Sequence, residues 1–115
     1  MKRILVTGAA GQIGSDLIPS LRTAYGDSNV IAASNITPPP AEIQSSGPCI
    51  QVNVTSFDQV DLAIKEFDID SLFHLSSILS ALAEENRTRA HQVNIDGLFN
   101  VLEASVANGL QRVVI

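Results

Sequence analysis

The sequence is poor in several things at once. It has one cysteine, Cys49, one tyrosine, Tyr25, no tryptophan, and seven basic residues against twelve acidic ones. A lone cysteine excludes an internal disulfide and a cysteine-rich zinc site, and it favours a reducing, cytoplasmic setting. The net charge of −5 argues against a general nucleic-acid binder, which needs a basic face to displace counterions from phosphates. No apolar run approaches the roughly 18 residues of a membrane span. Ile4-Leu5-Val6 behind Lys2 and Arg3 is far too short for a signal peptide. What is present is 45% apolar and 17% charged residues over 115 positions. That is enough for one globular domain, residues 1–115, and too little for two.

Short apolar runs alternate with helical stretches, as in βαβ units around a parallel sheet. Strands are predicted at Arg3–Thr7, Asn29–Ala33, Ile50–Val54, Ser71–Leu75 and Arg112–Ile115. A first helix is predicted from Gln12 to about Ala24, with Ile13, Leu17, Ile18 and Leu21 on one apolar face and a kink at Pro19. Asn35–Pro48 holds four of the five prolines and reads as a loop in place of a second crossover helix. A short helix over Phe57–Phe67 turns Val60, Ile64 and Phe67 inward, and Asp68 and Asp70 flank the turn that follows.

A long helix is predicted from about Glu85 to Ala107, with Glu84 and Glu85 favourable at its N-terminus. At 100° per residue, Val93, Gly97, Val101 and Ala104 form one stripe and Ile95, Leu98, Phe99, Leu102 and Val106 another. Asp96, Asn100 and Glu103 lie opposite. Two apolar stripes exceed what one sheet contact requires. The second is read as a homo-oligomer interface around Ile95, Phe99 and Leu102, with helices absent from these residues as the other way to cover it. The open edge beside the fifth strand also favours self-association.

Gly8-Ala9-Ala10-Gly11-Gln12-Ile13-Gly14 carries the strongest chemical signal. It lies between a buried strand and an amphipathic helix, the context that gives a three-glycine pattern meaning. Gly8 turns the chain off the strand, Gly11 clears space for a pyrophosphate, and Gly14 lets the helix pack on the sheet. The N–H groups of Gln12 and Ile13, with the positive end of the helix dipole, then face the phosphates. Other chemistries are not supported. There is no G-x-S-x-G elbow and no G-x-x-x-x-G-K-[ST] loop, and His74 and His91 have no companion at zinc spacing.

With Val6-Thr7 the loop reads VTGxxGxxG, and the chain resembles the extended short-chain dehydrogenase/reductases, the NAD-dependent epimerase/dehydratase family. Asn53-Val54, His74-Leu75-Ser76, Val93-Asn94-Ile95-Asp96-Gly97 and Asn100-Val101-Leu102-Glu103-Ala104 agree with it in order and spacing. Within the family, GQIGSDLIPSLRTAYG, the proline-bearing loop and HLSSILSALAEEN resemble the short-chain type of L-threonine 3-dehydrogenase. The resemblance implies a Rossmann-like, doubly wound α/β fold with a parallel sheet in the order 3-2-1-4-5, cut after the fifth strand, and NAD along the strand ends. It implies a pyrophosphate on Gly8, Gly11, Gln12, Ile13 and Gly14. The nicotinamide-side ribose would lie by Leu75, Ser76 and Ser77, with Asn94 near the same region and Ser80 as a substrate contact.

Three departures follow from the resemblance. Asn35 stands where an Asp usually accepts from the adenosine ribose, and an amide does not repel a 2′-phosphate as a carboxylate does. No Arg or Lys lies between Thr23 and Ile64, so NAD stays favoured over NADP. Asn53, beside Val54, replaces an Asp that accepts from the adenine amino group. The family's Tyr-x-x-x-Lys pair is missing, because Tyr25 precedes Asn29 by four and the lysines are Lys2 and Lys65. These residues alone are therefore expected to bind a nucleotide without oxidising a substrate, and a small-molecule substrate is expected only for a longer parent. Two alternatives stay open: a nucleotide-sugar epimerase or dehydratase parent, and a non-catalytic, truncated nucleotide-binding module.

Overall fold

The computed structural model describes residues 1–76 and 87–115. Five strands, β1 (Ile4–Thr7), β2 (Val30–Ser34), β3 (Cys49–Gln51), β4 (Ser71–His74) and β5 (Arg112–Val114), form one parallel sheet in the order β3-β2-β1-β4-β5. This is the order expected from the sequence. The helices are α1 (Gln12–Tyr25), α2 (Ala41–Ser46), α3 (Phe57–Glu66), α4 (Arg87–His91) and α5 (Gly97–Ala107), with a π-helical segment, Gln92–Asp96, joining the last two. No helix among the described residues is long and apolar enough to cross a membrane.

Strand alternation divides the core in two. Ile4 and Val6 of β1 and Val30 and Ala32 of β2 point to one face, where Ile18 and Leu21 of α1 and Ile43 of α2 cover them. Leu5, Ile31, Ala33 and Leu72 point to the other, under Val60, Ala63 and Ile64 of α3 and Val101 and Ala104 of α5. A side-chain period of two on the strands thus places helices on both faces, as a buried parallel sheet requires.

Several expectations change. The proline-rich stretch does contain a helix, α2, because Pro40 precedes its first residue and Ile43 finds an apolar pocket; Pro is well suited to helix starts. Buried Arg22 holds this segment down. Its Nε and Nη2 donate to Val30 O, Nη1 to Ile43 O at 2.6 Å, and Nη2 also to Pro48 O at 2.8 Å. Pro19 lies inside α1, as expected, and is exposed. Ile13, predicted on its apolar face, is 69% exposed, since the helix start projects past the strand ends. The predicted long helix is interrupted where Gly97 N–H bonds Gln92 O, five residues back. Its proposed start at Glu84–Glu85 lies outside the described residues. Asn100, expected on the solvent face, instead donates from Nδ2 to Val54 O at 3.0 Å.

Asp70 ties the sheet's lower edge, accepting from the N–H groups of Lys2 and Arg3 and from Ser71 Oγ. Burial pushes its carboxyl upward, but these hydrogen bonds and the N-terminal charge outweigh burial and hold it below the ordinary range.

Candidate functional site

The loop after β1 holds two glycines with no room for a side chain and one with a single tight contact. Gly8 has φ +73°, and a Cβ there would lie 2.5 Å from the Leu75 carbonyl carbon. A Cβ on Gly14 would lie 2.3 Å from Gly8 O. These two glycines therefore join β1, β4 and α1 at van der Waals contact. At Gly11 a Cβ would meet only Gly8 O, at 3.3 Å. Its bareness serves the open side of the loop, where it is exposed.

Gly11 caps α1 without a side chain. Its own N–H bonds Gly8 O and its carbonyl accepts from Ser15 N–H. The N–H groups of Gln12, Ile13 and Gly14 take no backbone or side-chain acceptor among the described residues. Gln12 and Ile13 are exposed, so their amides and the positive helix end are available to an anion. A pyrophosphate fits this cradle. When bound, NAD would supply the hydride acceptor, and the residues here would supply only its seat.

A cleft of about 200 Å³ runs from this cradle across the strand ends. It is lined by Gly8, Ala10 and Gly11, by Ser34, Asn35 and Thr37 after β2, by Val52, Asn53 and Val54 after β3, and by Leu75 and Ser76 after β4. Arg89 and Val93 line it from α4 and the π segment. The structure thus brings together Gly8, Gly11, Asn35, Asn53, Val54, Leu75 and Ser76 from four separate connections. Arg89 has no counterpart among the residues that the sequence singles out. It lies outside the stretch Thr23–Ile64, and the fold brings it to the cleft wall.

Asn53 is not the simple acceptor the sequence implied. Its Oδ1 already accepts from Thr55 N–H at 3.0 Å and Thr55 Oγ1 at 2.7 Å. The amide oxygen is spent on a turn, leaving Nδ2 as the polar group for the cleft. Asn35 is exposed, and its side chain bonds no other described residue.

A neighbouring hollow of about 280 Å³ gathers Ile13, His74, Leu75, Ser76, Asn94, Leu98 and Ile115. Leu75 and Ser76 border both spaces, so one groove continues from the glycine loop past β4 towards Asn94. His74 is buried, with Nδ1 at 2.9 Å from Thr7 Oγ1, and Thr7 Oγ1 also accepts from Leu75 N–H at 3.1 Å. Burial pushes the imidazole below its ordinary value and keeps it neutral. The Thr7–His74 pair fixes the end of β4 beneath Gly8. Ser77 and Ser80, both anticipated in the site, lie outside the described residues. No group of three or more potential metal ligands occurs among the described residues.

Known proteins share this arrangement. A solved L-threonine dehydrogenase from Clostridium difficile superposes with a TM-score of 0.92 at 39% identity, over 97% of this chain and 35% of that one. A UDP-glucose 4-epimerase from Thermus thermophilus, solved in complex with NAD, gives 0.84 at 27% identity, over 96% of this chain and 36% of that one. An uncharacterised epimerase/dehydratase of Staphylococcus aureus strain USA300 is 40% identical over 105 residues, which are 91% of this chain and 33% of that protein. The chain thus spans about a third of the length of these relatives. A family model described as the NAD dependent epimerase/dehydratase family matches residues 4–115. The glycine cradle, the sheet order and that match together make the chain a member of the NAD-dependent epimerase/dehydratase family.

Proposed function

We propose that these residues form the NAD-binding part of an oxidoreductase whose parent reaction is the NAD-linked oxidation of L-threonine to 2-amino-3-ketobutyrate. The observation that carries the nucleotide reading is the pair of exposed, unbonded amides at Gln12 and Ile13 beside the exposed Gly11. Gly8, Gly11, Gln12, Ile13 and Gly14 would seat the pyrophosphate. Asn35, Asn53 and Val54 would border the adenosine, and Leu75, Ser76, Ser77 and Asn94 the opposite ribose, with Ser80 towards substrate. The threonine assignment is supported by the higher identity to the Clostridium difficile dehydrogenase than to the Thermus epimerase. A nucleotide-sugar epimerase or dehydratase parent is the second reading, supported by the epimerase match.

Calorimetric titration with NAD tests the nucleotide site. Binding is expected for the 115-residue chain, and Gly11→Val should abolish it in a protein that still melts cooperatively by circular dichroism. Equal binding by both proteins would reject the cradle. The parent is tested by assaying the longest reading frame that contains this chain, with L-threonine and with a nucleotide sugar as competing substrates.

Self-association and a cytoplasmic location belong to the same proposal. Ile95, Phe99, Leu102 and Val106 are 54%, 62%, 39% and 81% exposed on one side of the last helix, an apolar stripe that a second copy would cover. Sedimentation should show a dimer or larger species that Phe99→Glu converts to monomer. A monomeric parent chain at high concentration would refute the pairing.

A further inference from the structure

The ends of β1 and β4 meet at a hydrogen-bond chain that has a direction. Thr7 and His74 are both buried. Thr7 Oγ1 accepts from Leu75 N–H at 3.1 Å, and its own hydrogen has one acceptor among the described residues, Nδ1 of His74 at 2.9 Å. A buried hydroxyl hydrogen left without an acceptor is costly, so the hydroxyl donates and the neutral imidazole carries its proton on Nε2. Leu75 N–H, Thr7 Oγ1–H and His74 Nδ1 then form one cooperative run. It ends on the one atom in it that takes up a proton in mild acid. The same segment shapes the groove. Leu75 leaves no room for a Cβ on Gly8, and Leu75 and Ser76 border both the cleft and the hollow beyond it. Around the imidazole stand Thr7, Ile13 of α1, Asn94 and Leu98 of the last helical run, and Ile115 after β5; none has a titratable side chain. Burial is the only influence on its pKa among the described residues, so Asp16 and Arg22 of α1, Asp96 of the π segment, Glu103 of α5 and Arg112 of β5 exert no pull on it. The terminal carboxylate of Ile115 titrates at about 3.3–3.7, well below the histidine range.

We propose that the Thr7–His74 pair is a proton-sensitive latch on the dinucleotide groove, with His74 as a positioning residue: the neutral imidazole holds the end of β4 against the glycine loop, and a proton on Nδ1 loosens that hold. With Nδ1 protonated, two hydrogens face each other across the 2.9 Å contact. The hydroxyl can keep the pair only by turning its own hydrogen towards a place without an acceptor, so the pair yields. The dinucleotide therefore binds the neutral form better, and by linkage its binding opposes protonation. The inference rests on the dinucleotide reading above.

Calorimetric titrations with NAD between about pH 8 and about pH 5 test it, with circular dichroism confirming a folded chain at each pH. Affinity should hold constant above about pH 6.5 and fall about fivefold or more by about pH 5. His74→Asn keeps an acceptor near the position of Nδ1 but does not titrate, so its affinity should not vary over that range. Thr7→Ser, which keeps the hydroxyl, should keep the wild-type slope, and so should His91→Gln, which removes the other histidine. On the wild-type chain alone, an NMR titration of His74 should give a lower midpoint with saturating NAD than without it. NAD binding that does not depend on pH, a slope that survives in His74→Asn, or a His74 midpoint that NAD leaves in place would each overturn the latch while sparing the nucleotide site. No binding at about pH 8 to a chain that melts cooperatively would sink the dinucleotide reading, and the latch with it.

Discussion

At Gly8 an added methyl group would collide with the Leu75 backbone at a positive φ, whereas at Gly11 it would only crowd Gly8 O, at 3.3 Å. Gly8→Ala is therefore expected to lower stability by about 2–4 kcal/mol, whereas Gly11→Ala should cost less than about 1 kcal/mol. Thermal melts of the two variants check the contrast. His74 makes a second, pH-dependent prediction. Burial lowers its folded-state pKa, so the unfolded chain takes up a proton that the folded chain refuses. Its contribution is fully present above the ordinary histidine pKa of about 6.5 and is lost as pH falls from there through the lowered value. Asp70, also lowered, acts further into acid, with stability lost as pH falls below the ordinary carboxylate range. Urea unfolding across pH should show both slopes, and His74→Gln should flatten only the upper one. The glycine spacing is legible in the sequence because its logic is local. Thr7–His74 and Lys2–Asp70 are not, because their partners lie 67 and 68 residues apart.

Among the elements, α2 and α5 show how a side chain can decide what periodicity alone does not. Arg22 donates to the carbonyls of Val30, Ile43 and Pro48, so it docks the proline-rich connection against the sheet. Arg22→Ala should cost about 3 kcal/mol, since it strips donors from several buried or half-buried acceptors. Ser105 is the opposite case. It is buried, and its Oγ has no partner among the described residues. Ser105→Ala should be neutral or stabilising by up to about 1 kcal/mol in urea unfolding. Neither behaviour can be read from hydrophobic spacing, which carries no information on hydrogen-bond partners. The stripe of Gly97, Val101 and Ala104 is buried, as its helical spacing predicts. Asn100 escapes the same reasoning because its acceptor, Val54 O, belongs to a loop whose position only the assembled sheet defines.

On the scale of the whole molecule, five strand runs with helical stretches between them give the layers, and the resemblance carried by the glycine loop implies the strand order. The cleft follows less completely. Four of its walls are loops following strands, and those can be anticipated. The fifth wall, Arg89 and Val93, depends on how the final helical run is wound. The widened turn over Gln92–Asp96 sets the phase between two halves of that run, so that Ala90 upstream and Val101 and Ala104 downstream are all buried. Removing one residue from it should restore regular winding and swing Arg89 by about 100° off the groove wall. A chain shortened in this way should melt at a lower temperature, because the turn that moves Arg89 also carries buried Ala90 into solvent.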